Sequence, residues 1–288
     1  MKIKCLNETH RYSNKYYSDK TMADDSEQKI STRYPPVSPE LIEKWDLLQN
    51  EIRKKIIHSN TEEWQLAEEL HGLRRVAGVD VSYPSKDHDS YECDAFAAVV
   101  ICEFPTMKII HKEVQQVHLP VPYAPGYLAF RESEPVTTLL NKIMKDHPNK
   151  VPDVLLVDGN GMLHPHKSGL ACHVGIHTNI PTIGVAKNLH LVDGIGVTKQ
   201  MVQGMSARGD YVLIRDKSNE VLGMALKTAK DAINPMYVSI GHKISLETAK
   251  NVVLKCSKYK IPEPIRFADN ISREFVRKME EKSQSKKT

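Results

Sequence analysis

No apolar stretch in the chain approaches the roughly 18 residues a membrane helix needs, and the N-terminus carries no apolar signal core. The 5 cysteines are odd in number and include no CxxC pair, a pattern of reduced thiols and not of a disulfide frame. Together these absences set the expectation of a soluble intracellular protein of the cytoplasm or nucleus, with no membrane partner. A Walker loop of the form GxxxxGK[ST] is missing too, so nothing points to ATP-driven work. Charge of one sign is scarce: 40 Lys and Arg against 36 Asp and Glu leave +4 and a pI near 8.6, compatible with a polyanion but without the concentrated footprint of a structural nucleic-acid binder.

What is present suffices for one core. With 288 residues and 40% hydrophobic content, a single domain is expected. Residues 1–33 are polar and aperiodic and read as a disordered tail, as do the charged residues 274–288, leaving 34–273 as the folded unit. Ser38 and Pro39 open a helix in which Leu41, Ile42, Trp45, Leu48, Ile52 and Ile56 recur at helical spacing. Three strand-like runs follow, then a helix over "AFRESEPVTTLLNKIMKDH", then alternating strand and helix, an antiparallel pair turning at Ser218 and Asn219, and a last strand and helix. Three antiparallel strands followed by parallel units give the element order of an α/β fold with an RNase H-like mixed β-sheet flanked by helices.

Within that order, "DVLLVDGNGMLHPHKSG" is unusual. Val154–Val157 reads as a strand buried on both faces, and Asp158 ends it at the carboxyl edge, where open α/β sheets bind ligands. Asn160-Gly161 suggests a hairpin, yet no alternating return strand follows. A calcium loop fails as well, because Met162 and Gly169 occupy its fifth and twelfth positions. Asp80 lies in the middle of the apolar strand "VAGVDVSY", where an unpaired charge costs several kcal/mol. Two facing carboxylates repel unless a cation joins them, so Asp80 and Asp158 are candidate ligands of Mg²⁺, with Glu132 near a helix start as a third. His242, just before the cap residue Ser245, is a candidate ligand or base, against the commoner reading of a packed histidine.

"GVDVSY", "PYAPGYLAFRE", "LLVDGNGMLHPH", "GVAKNLH", "GHKISLETA" and "IPEPIRFAD", in that order from Trp45 to Arg273, resemble the endonuclease V family, in its eukaryotic-type branch. The resemblance implies an RNase H-like, Mg²⁺- or Mn²⁺-dependent nuclease for inosine-containing RNA or DNA. Such an enzyme cuts the second phosphodiester 3′ to the inosine and leaves 3′-hydroxyl and 5′-phosphate ends. It also implies that Asp80, Glu132 and Asp158 hold the metal, that His242 and Lys187 belong to the site, and that Gly159 and His164 contact substrate. "PYAPG" corresponds to the wedge that separates strands, with Pro122, Pro125 and Gly126 framing an inserting Tyr123. Ala124 departs from the bulkier apolar residue frequent there, which points toward single-stranded RNA over duplex DNA. A monomer is expected. Two readings compete: a deoxyinosine-specific DNA repair endonuclease, and a binder of inosine or structured RNA with an inactive site. A resolvase- or transposase-like nuclease on the same fold is a further alternative.

Overall fold

The computed structural model describes residues 37–84, 93–122, 124–189, 202 and 204–285. The segment 1–33 and Tyr123 therefore lie outside the described residues. Helix α1 (Pro39–Lys55) starts as its sequence dictates, with the Leu41 N–H donating to Ser38 Oγ at 3.3 Å and Pro39 in the first turn. Its buried face is narrower than the apolar spacing suggested: Trp45, Gln49 and Ile52 are buried, whereas Leu48 is 44% exposed. Gln49 takes the inner position because its Nε2 donates to the Gly126 carbonyl at 3.1 Å and to the Ser168 carbonyl at 3.4 Å.

The sheet has eight strands in the order β3-β2-β1-β4-β5-β8-β7-β6. Strands β1 (Arg75–Ser82), β2 (Cys93–Glu103) and β3 (Lys108–Leu119) form an antiparallel meander, while β4 (Val154–Asp158) and β5 (Thr182–Ala186) add to β1 in parallel. Strand β8 (Met236–His242) runs antiparallel to β5, and β7 (Val221–Leu226) and β6 (Tyr211–Arg215) close the edge as a hairpin. This is the RNase H-like mixed sheet expected from the element order. Helices α2 (Leu128–Asp146) and α3 (Leu170–Thr178) cover one face, packing Leu139, Leu140 and Val174 on Val79, Val99 and Val157. Helices α4 (Leu246–Cys256) and α5 (Glu263–Ser285) cover the other, where Val252, Val253 and Ile265 meet Val76, Leu156 and Val185. Among the described residues no helix is long and apolar enough to cross a membrane.

The expected end of the folded unit at residue 273 needs correction. Helix α5 continues to Ser285, because its apolar stripe runs past that point: Val276 is buried and the Phe275 ring lies 5.8 Å from that of Phe96 on β2. The charged composition that resembled a disordered tail is the solvent face of an amphipathic helix.

Candidate active site

Register alone aligns two carboxylates. Val79 pairs with Val157 between the parallel strands β1 and β4, so Asp80 and Asp158, one step on, stand side by side. Since Val79 and Val157 face α2 and α3, the next residues turn toward α5. That helix seats closely because Gly78 has no side chain: a Cβ there would fall 2.1 Å from the Pro264 carbonyl carbon. From this contact Ile265 and Ala268 bury against the sheet, and one turn later Asp269 and Ser272 arrive over Asp80. Carboxylate oxygens of Asp80, Asp158 and Asp269 lie within 4.8 Å of one another.

Burial in this site perturbs Asp80 and Asp158. Burial, opposed by a Ser272 hydroxyl bond at 2.7 Å and reinforced by the charges of Asp158 and Asp269, pushes Asp80 up to about 6. Burial also raises Asp158, although Lys187 Nζ donates to its Oδ2 at 2.7 Å. Lys187 stands 3.8 Å from Asp269 as well, and these acids hold its ammonium above the ordinary lysine value in spite of burial. Glu132 enters from the α2 face. Its carboxylate accepts the Tyr83 hydroxyl, and burial, with repulsion from Asp80 and Asp158 added, lifts it to about 8.

These residues fit a hard divalent cation. Three oxygen donors converge, burial makes Asp80 hold its proton unusually tightly, and among the described residues the cluster's ion-pair partners are Lys187, on Asp158 and Asp269, and Arg273, at 2.9 Å from Asp269. Asp80 and Asp158 thus come together as the sequence suggested, and Asp269 joins them within 4.8 Å. Glu132 stands beside the cluster, bonded to Tyr83. Asp269 ends the motif "IPEPIRFAD". The signal was available: in "PIRFADNISREFV", Ile265, Ala268, Asp269, Ser272 and Val276 share one helical face, and an acid on an apolar stripe needs a partner.

His242 is not brought to the cluster. It pairs with Thr182 at the start of β5, three residues below Val185, the partner of Asp158, or about 10 Å down the strand. There its Nδ1 accepts the Ile57 N–H at 3.3 Å, and burial followed by the Lys243 charge depresses it to about 4. It is a packed histidine tying the end of α1 to the sheet. Gly159 follows Asp158 directly, its N–H donating to the Val185 carbonyl at 3.3 Å. His164 is buried on the loop leaving Asp158, and its Nδ1 accepts the His166 N–H at 3.3 Å. In the wedge motif Pro122 is buried, Pro125 is exposed, and Gly126 takes a φ of +83°, which favours glycine. Ala124 is itself buried, so its small size affects how the loop seats and not the bulk of an exposed wedge.

A carboxylate cluster joined by a lysine at the strand ends of an RNase H-like sheet is the framework of a metal-assisted nuclease. Comparison with known proteins makes the assignment specific. Residues 50–270 match the family model described as Endonuclease V. Human endonuclease V is 39% identical over 242 residues, covering 83% of this chain and 84% of the relative. The crystal structure of the human catalytic domain superposes with a TM-score of 0.80 at 39% identity, covering 85% of this chain and 98% of that one. Endonuclease V of Ciona intestinalis, in complex with a 23mer DNA containing an inosine followed by a ribo-adenosine, gives 0.75 at 37% identity, covering 84% and 100%. The chain belongs to the endonuclease V family.

Proposed function

We propose that this protein is a divalent-metal-dependent endonuclease that cuts inosine-containing strands, with single-stranded RNA preferred. The cut falls at the second phosphodiester 3′ to the inosine and leaves a 3′-hydroxyl and a 5′-phosphate. The observation that carries the reading is the meeting of Asp80, Asp158 and Asp269 within 4.8 Å beside Lys187. Mg²⁺ is the ion proposed, with Mn²⁺ able to replace it; when bound it supplies an activated water and charge neutralisation at the phosphate. The three aspartates hold it. Lys187, already among them, offers a mobile point charge to the scissile phosphate as negative charge develops. Glu132, beside the aspartates and bonded to Tyr83, is raised by burial in the ion-free protein, and a bound cation would oppose that rise. The four free, buried cysteines among the described residues support a reducing, intracellular setting in the cytoplasm or nucleus.

Support for RNA comes from the Ciona protein's complex, in which the nucleotide after inosine is a ribonucleotide. The strand in that complex is otherwise DNA, which favours a second reading, a deoxyinosine-specific DNA endonuclease. Competition in one tube separates them: single-stranded RNA and DNA and duplex DNA, each with one inosine, and an adenosine control. RNA cut fastest is the expected result, and duplex deoxyinosine DNA cut fastest overturns the RNA preference.

A further inference from the structure

Beyond the metal cluster, Lys187 borders a second feature. A cavity of about 320 Å³ opens at the ends of β5 and β8, lined by Lys187, Asn188, Asn234, Tyr237 and Lys260. Its position follows from the sheet: Tyr237 pairs with Ala186, the residue before Lys187, so the cavity begins where the cluster ends. The far wall is fixed, since the Lys260 carbonyl accepts the hydroxyl of fully buried Thr228 at 2.5 Å. Polar groups in it are unspent. Hydrogen bonds and ion pairs among the described residues engage Lys187 but none of the side chains of Asn188, Asn234, Tyr237 or Lys260. The Lys260 ammonium, two amides and a phenol, with no carboxylate among the lining residues, suit an anionic ligand rich in acceptors. The volume is at the small end for ligand pockets, enough for about one nucleotide.

We propose that this cleft binds the nucleotide on the 3′ side of the cut, with Lys260 on its phosphate and the asparagines and Tyr237 on sugar and base edges. The inference rests on the proposed reading that the cut lies 3′ to the inosine. Gly126 and the loop leaving Asp158, where the base is expected, are bound together by Gln49 on the α2 and α3 side of the sheet. The cleft lies on the other side of Lys187, beside the loop that precedes α5. A strand with its inosine at the first and its scissile phosphate over the aspartates continues 3′ into the second.

Binding of single-stranded inosine oligonucleotides, with Ca²⁺ in place of Mg²⁺ to keep them uncut, tests this. One strand ends at the cut in a 3′-phosphate, which leaves the cleft empty, and the other carries one further nucleotide with its own 3′-phosphate to fill it. The extension is expected to tighten Kd roughly tenfold in the native protein, the scale of a charge-assisted contact. Lys260→Ala should erase that gain and lessen the salt dependence for the long strand by about one phosphate contact, and Lys260→Arg should restore both. Equal tightening in Lys260→Ala, or no effect of length in the native protein, overturns the cleft. Length-sensitive binding together with failure to cut inosine strands in Mg²⁺ leaves the cleft standing and overturns the proposed function instead.

Discussion

Asp80 and Glu132 make the ion-free protein less stable as pH rises. Each carries a folded value above its ordinary one, about 6 against 3.8 for Asp80 and about 8 against 4.5 for Glu132. Between those limits the native state binds more protons than the unfolded chain, so stability falls with increasing pH across the window. In chelator, Tm should therefore drop as the buffer moves from about pH 4 to about pH 8, and Mg²⁺ should recover most of the loss at the upper end. Asp80→Asn should raise the chelated Tm at pH 8 and flatten the profile; a native profile flat in chelator contradicts the buried-acid account. The same residues show what a sequence reveals. Asp80 and Asp158 were legible because each interrupts or ends an apolar strand, where a charge is costly. Asp269 was harder to read, because in a helix rich in Arg, Glu and Lys an aspartate resembles a solvated one unless its place on the apolar stripe of Ile265, Ala268 and Val276 is noticed. His242 misled in the opposite sense: a histidine beside Gly241 and ahead of a helix cap resembles a site residue, but strand register sends it to the wrong end of the sheet.

The elements that build the site depend on a few contacts that spacing alone does not show. The order of strands and helices was readable from apolar periodicity and from the caps at Ser38 and Ser245, both of which accept the expected backbone N–H. The close seat of α5 on β1 was not, since nothing in "AGVDV" says which backbone approaches Gly78. Gly78→Ala places a Cβ 2.1 Å from Pro264 backbone in a packed core. We expect a loss of about 1–3 kcal/mol or more in chemical denaturation, because backbone must move to relieve it. Wild-type stability in that variant would show that α5 does not sit as described. Ending the chain after Arg273 removes the buried Val276 and the Phe275–Phe96 contact, and should cost about 1–3 kcal/mol; a disordered tail would cost nothing.

At the scale of the whole molecule, a net charge of only +4 leaves little diffuse attraction for a nucleic acid. Recognition must then come from the site, which draws on β1, β4, α5, the end of β5 and, from the opposite face, α2. The most direct measurement is product mapping with a 5′-labelled, single-stranded RNA bearing one inosine, incubated in Mg²⁺ with the native protein and with Asp269→Asn. The variant must first be shown folded by circular dichroism. One product is expected, ending in a 3′-hydroxyl after the nucleotide next to inosine. None is expected with adenosine in place of inosine or with chelator, and the rate should be at least about a hundredfold lower for Asp269→Asn, since a lost ligand weakens the charge stabilisation that carries the chemistry. Cleavage indifferent to inosine, or an undiminished rate in the folded variant, would contradict the proposed function.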